Sequence, residues 1–176
     1  MITLHVVLKT VQIEVRDRRS EALLSAADIS ISATGYSSSV SWVSPSYTWV
    51  HVGFMSYNFV TSATGYSTNS TVEVVTAQTT LIVLWVDISG IPIRVEECVT
   101  NDAVQTATIT VSGQTETINY NGGATFTATN GFGSYTFTTE STGYVSNTQN
   151  VAVSASTTLI TLCVNYNPIP VRVTSC

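Results

Sequence analysis

Lysine is all but missing from this chain: Lys9 is the only one among 176 residues. Lysine and arginine together number 6 against 11 carboxylates, and charged residues make up 10% of the sequence, where soluble domains carry about 25%. With a net charge of −5, the chain lacks the clustered cations that neutralise a phosphate backbone, which excludes a nucleic-acid partner. Arg16, Arg18 and Arg19 form the one cluster; Asp17 interrupts it, and it reads as a solvated loop. Scarce charge also removes the repulsion that keeps proteins apart.

Histidine is nearly as scarce. His5 and His51 lie far apart in sequence, and nothing in the pattern brings them together as a metal pair or catalytic base; both read as structural. The three cysteines, Cys98, Cys163 and Cys176, show no C-x-x-C spacing, which argues against zinc and thioredoxin-like chemistry. Their odd number leaves one thiol free or paired between chains. No apolar run reaches the roughly 18 residues of a membrane helix, so no membrane insertion is expected. Met1 to Lys9 lacks the charged start and apolar core of a signal peptide. Secretion would therefore use a signal outside this sequence or an unconventional route.

Catalytic signatures are missing too. No Gly-x-Ser-x-Gly elbow occurs among the 22 serines. Glu96 and Glu97 are the one adjacent carboxylate pair, but consecutive strand residues point to opposite faces, so they read as a solvated strand end. Asp17, Asp28, Asp87 and Asp102 lack calcium-loop spacing. The chain is expected to be no enzyme and to need no metal or cofactor.

What fills the gap is hydroxyl: 22 serines and 29 threonines. A surface coated in hydroxyls instead of charges suits an extracellular or cell-surface protein, or a dense self-assembly.

An internal repeat organises the chain. At a shift of 78 residues, Ser56-Tyr57-Asn58-Phe59 falls on Ser134-Tyr135-Thr136-Phe137, and Thr64-Gly65-Tyr66 on Thr142-Gly143-Tyr144. From Ser56 to Cys98, 21 of 43 positions are identical to their partners without a gap. Val11 to Val15 matches Ile91 to Val95 at a shift of 80, so a two-residue slip must be absorbed between Ala33 and Ser56. This phasing assigns residues 1–88 to a first unit, in which 1–10 resembles a closing strand, and 89–166 to a second. Residues 167–176 then resemble the opening strand of a further unit or a donor strand for a neighbouring subunit.

Period-2 alternation with β-branched residues, as in Ile29-Ser30-Ile31 and Ile109-Thr110-Val111, predicts strands. Six or seven short strands per unit are expected, separated by turns such as Asn121-Gly122-Gly123 and Asn130-Gly131. Helix is limited to one turn within Ser20 to Ala27. Gly65 and Gly143 suit turns that require φ > 0, and the following Tyr66 and Tyr144 can cap the core edge while their hydroxyls reach backbone. The fold class is all-β: two tandem β-sandwiches of Ig-like or transthyretin-like type.

In the second unit, Thr129-Asn130-Gly131-Phe132-Gly133-Ser134-Tyr135-Thr136-Phe137 is followed by Thr142-Gly143-Tyr144. This resembles the carboxypeptidase regulatory-like family, a transthyretin-like sandwich with Thr-Asp-x-x-Gly-x-Tyr/Phe-x-Phe and then Gly-Tyr; here Asn130 stands for the Asp. The first unit keeps only the aromatic end, Tyr57-Asn58-Phe59. The resemblance implies a non-catalytic module: a spacer, an adhesin, a sugar-binding module or an attachment to a secreted enzyme.

Several residues are candidates for function. Trp42, Tyr47, Trp49 and Phe54 crowd one stretch of the first unit; they would stack on a ligand such as a glycan or fill a core or interface. Asn69-Ser70-Thr71 is an N-glycosylation sequon at Asn69. Cys98 ends the first strand of the second unit and Cys163 lies near the end of its last; as parallel neighbours the two would form a disulfide. The first unit carries Arg18 and Trp85 there. Ile2, Leu4 and Val6 at one end, and Ile169, Val171, Val173 and Cys176 at the other, alternate like strands without a unit to join. The leading expectation is a structural subunit of an extracellular filament, self-associating head to tail through these end strands, its partners copies of itself. An adhesin-like or carbohydrate-binding module that recognises glycan or cell surface is the rival, and an accessory domain of a secreted hydrolase the third reading.

Overall fold

The computed structural model describes residues 10–50, 53–114 and 117–167. They contain no helix, including at Ser20 to Ala27, where a turn and an isolated bridge at Leu23 precede a strand. Two compact units divide between Ser89 and Gly90.

Unit 1 holds eight strands: β1 (Thr10–Asp17), β2 (Ala26–Ala33), β3 (Tyr36–Val43), β4 (Tyr47–Val50), β5 (Ser56–Ser62), β6 (Tyr66–Ser67), β7 (Asn69–Val74) and β8 (Leu81–Ile88). They form two four-stranded sheets, ordered β4-β1-β8-β6 and β3-β2-β5-β7. Unit 2 repeats the plan with β9 (Ile91–Glu97), β10 (Thr106–Val111), β11 (Thr117–Asn121), β12 (Ala124–Phe126), β13 (Gly133–Glu140), β14 (Tyr144–Val145), β15 (Asn147–Val153) and β16 (Ile160–Tyr166). Its sheets run β12-β9-β16-β14 and β11-β10-β13-β15. The chain after Gly65 or Gly143 forms two strands in different sheets: β6 and β14 pair with the last strand of their unit, whereas β7 and β15 pair with the other sheet. This sheet switch raises the count above six or seven.

Alternation sorts the faces. In β1, Val11, Ile13 and Val15 are buried; in β8, Ile82, Leu84 and Val86 are. They meet Ile29, Ile31, Trp42, Tyr57 and Phe59 from the other sheet in one core cluster. Each fully buried side chain of this size contributes roughly 1.5–3 kcal/mol. Unit 2 likewise buries Ile93, Val95, Phe126, Leu162 and Val164 of one sheet and Ile109, Tyr120 and Phe137 of the other. Gly65 and Gly143 sit at φ of +82° and +88°, the left-handed conformation expected of these turns.

Register locates the slip in the repeat. Asp28 pairs with Ser41 where Thr108 pairs with Asn119, so the shift falls from 80 to 78 within the β2–β3 hairpin, whose tip is Thr34-Gly35. The outermost strand of the other sheet moves by one more: Val11 pairs with Trp49 where Ile91 pairs with Phe126.

Candidate functional site

The two tryptophans of the aromatic stretch are core. Trp42 is fully buried and donates its indole N–H to the Ile13 carbonyl at 2.8 Å. Trp49 is 2% exposed and donates to the Tyr36 hydroxyl at 3.1 Å. Register makes Tyr120 the counterpart of Trp42, and Phe126 that of Trp49. Trp49 meets Tyr57 edge-on at 4.7 Å and Phe59 at 5.6 Å; Phe126 meets Tyr135 at 4.9 Å and Phe137 at 5.1 Å, also edge-on. Neither tryptophan offers a face to a ligand. Tyr47 is half-buried on β4, and Phe54 is 58% exposed.

The first and last strands of each unit are parallel neighbours. β1 pairs with β8 from Gln12↔Leu81 to Asp17↔Val86, and β9 with β16 from Ile160↔Ile93 to Val164↔Glu97. At the end of the second ladder Cys98 and Cys163 are joined by a disulfide, with Cα atoms 4.9 Å apart. In unit 1 Arg18 instead forms an ion pair with Asp87 at 3.2 Å.

At the end of each first strand stands a buried carboxylate. Asp17 accepts the N–H groups of Arg19 at 2.7 Å and Ser20 at 3.2 Å. Glu97 accepts those of Val99 and Thr100. The chain then turns through left-handed Glu21 (φ 57°) and Asn101 (φ 60°). Glu97 is thus no solvated strand end: its side chain is folded inward to cap the turn, and Glu96 pairs with Arg94 at 3.1 Å. Bonds to Glu97, first that from the Thr100 N–H, hold its carboxyl below the usual glutamate value, against the opposing effect of burial. The Tyr66 side chain is hydrogen-bonded to Asp17. Burial first, then the Asp17 charge and hydrogen bond, push its phenol up to about 12. Tyr144 instead stacks on Tyr166 at 5.5 Å. The Tyr57 hydroxyl donates to the Gly53 carbonyl and the Tyr135 hydroxyl to the Gly131 carbonyl.

Asn69 holds the sheet switch. Its side-chain N–H, the atom glycosylation would modify, donates to the Trp85 carbonyl at 2.7 Å. Asn147 does the same to Cys163 at 3.2 Å, and Gln149 accepts the Cys163 N–H at 2.7 Å. Side chains thus extend the ladder of the last strand where the neighbouring strand has left it.

The outer faces of the β2 and β10 sheets carry the hydroxyls. Ser39 lies beside Ser30, and Thr117, Thr110, Thr138 and Thr148 form one row across four strands. Among the described residues no three His, Cys, Asp or Glu side chains group as a metal site. His5, His51, Ile2, Leu4, Val6, Ile169, Val171, Val173 and Cys176 lie outside the described residues.

No protein-family model and no curated protein sequence matches the chain. Among solved structures, it is similar to the TIE protein of Bacillus anthracis, with 16% identity over 90% of this chain and a TM-score of 0.44; it spans 34% of that protein. It is also similar to a Streptococcal ancillary pilin, at 15% identity over 92% of this chain and 63% of that one, TM-score 0.31. A third is the shaft pilin SpaA of Lactobacillus rhamnosus GG, at 11% identity over 93% of this chain and all of that one, TM-score 0.34.

Proposed function

We propose that the chain is a structural subunit of an extracellular filament or surface assembly, built head to tail from copies of itself through end strands. The observation that carries this reading is the parallel pairing of first and last strands in each unit. Because the two strands run the same way, the chain enters each sandwich at one pole and leaves at the other. Tension along the chain then shears the whole ladder at once instead of peeling one hydrogen bond at a time. The disulfide fits an oxidising compartment, and the hydroxyl-coated, charge-poor faces suit close packing of copies. The resemblance to carboxypeptidase regulatory-like modules agrees with a non-catalytic role.

In this reading, Ile169, Val171 and Val173, or Ile2, Leu4 and Val6, add as a strand to a neighbouring copy, supplying backbone hydrogen bonds and an apolar face. Such a heterologous contact need not close and propagates as a fibre. Electron microscopy of the purified chain should show filaments. Deleting residues 167–176 should abolish them while circular dichroism reports both sandwiches folded. Filaments formed equally well by the truncated chain would overturn strand exchange.

A further inference from the structure

Unit 2 carries a polar groove of about 820 Å³, within the range of small-ligand sites, about 300–1,000 Å³. Its floor is a patch of strand-mounted side chains. Thr108 lies between Asn119 and Glu140 on adjacent strands, and Thr106 lies beside Asn121. All five are exposed. A wall comes from the loop after β13, where Ser141 fixes the backbone by donating to the Thr106 carbonyl at 2.7 Å. Tyr144, its ring held against Tyr166, closes one side.

The geometry points to a binding site for a neutral saccharide in this groove. No lysine or arginine lines it, and Glu140 would repel an anion. An apolar ligand would strip water from the amides and hydroxyls without replacing their hydrogen bonds. A sugar instead exchanges hydroxyl for water at each group and can lay a C–H face on the Tyr144 ring.

Unit 1 is an internal contrast on the same fold. Asp28, Ser41 and Ser62 occupy the register positions of Thr108, Asn119 and Glu140. There the Ser41 hydroxyl donates to Asp28 at 2.9 Å, so the two satisfy each other. Ala26 and exposed Val43 replace Thr106 and Asn121. Divergence between the repeats has left open hydrogen-bonding capacity in unit 2 and closed it in unit 1. The inference is independent of filament formation.

Calorimetric titration of the full chain with cellotetraose, chitotetraose, maltotetraose and mannotetraose tests it. At least one should bind saturably. Replacing Asn119 and Asn121 together by alanine should weaken binding at least tenfold, as should Glu140→Gln alone. The matched change in unit 1, Ser41→Ala with Val43→Ala, should leave it unaltered. These side chains are exposed, so near-ultraviolet circular dichroism should be unchanged in every variant. Absence of saturable binding by all four sugars, or binding that survives both unit 2 variants, would overturn the proposal.

Discussion

Trp42 and Ile13 are joined across the core of unit 1: the indole N–H of one donates to the main-chain carbonyl of the other at 2.8 Å. The bond ties the second sheet to the first strand of the parallel β1–β8 ladder. Phenylalanine at position 42 would fill most of the space but leave the carbonyl without this donor. Trp42→Phe should destabilise unit 1 by about 1–3 kcal/mol. All three tryptophans of the chain, Trp42, Trp49 and Trp85, belong to unit 1, so indole fluorescence during urea unfolding follows that unit alone. An unchanged midpoint would show that the bond contributes nothing.

Tyr66 makes unit 1 sensitive to alkali. Its phenol is raised to about 12 in the folded state, from an ordinary 10.0. A raised folded value means that the stabilisation is fully present below about pH 10 and is lost as pH rises through about 12. Tyr66→Phe should therefore be less stable than the parent at neutral pH and should lose less stability across this window. Parallel pH profiles for parent and variant would refute the Asp17–Tyr66 linkage.

Unit 2 has the opposite sensitivity. Glu97 is held below the ordinary 4.5, so its contribution is present above that value and is lost as pH falls through the lower folded value. Glu97→Gln should flatten the acid limb of unit 2, followed by tyrosine signals in near-ultraviolet circular dichroism, and leave unit 1 fluorescence unchanged. An acid limb as steep as the parent's would place the titration elsewhere.

These residues also mark what the sequence could convey. The all-β sandwich fold and the glycine turns at Gly65 and Gly143 were legible, because alternation, a gapless repeat and the left-handed preference of glycine are local signals. Glu97 was not: nothing local distinguishes a carboxylate pointing to water from one folded back onto two N–H groups. The aromatic core was hidden for another reason. Trp42 and Tyr120 align only after the hairpin slip, and Trp49 and Phe126 only after one more residue. A gapless comparison therefore sees unit-specific tryptophans where the fold has equivalent core rings. The split of β6 from β7 depends on Asn69 bonding to Trp85, a contact between residues 16 positions apart, which no local pattern encodes.

The disulfide gives the two units different mechanical signatures, although their ladders are alike. Cys98 and Cys163 are 65 residues apart in sequence, and the loop they close is worth about 4 kcal/mol in the chain-entropy model. Under a stretching force, unit 1 can extend along its full length once β1 shears from β8. Unit 2 cannot: force passes through the sulfur bridge, and the residues between the cysteines stay out of the loaded path. Single-molecule pulling should show one unfolding step shorter than the other by about 220 Å, the extended length of 65 residues. Reductant, or Cys163→Ser, should restore the missing length and lower the thermal midpoint of unit 2 alone. Two equal full-length steps without reductant, with free thiols at both positions by mass spectrometry of non-reduced peptides, would remove the bridge and the mechanical difference with it.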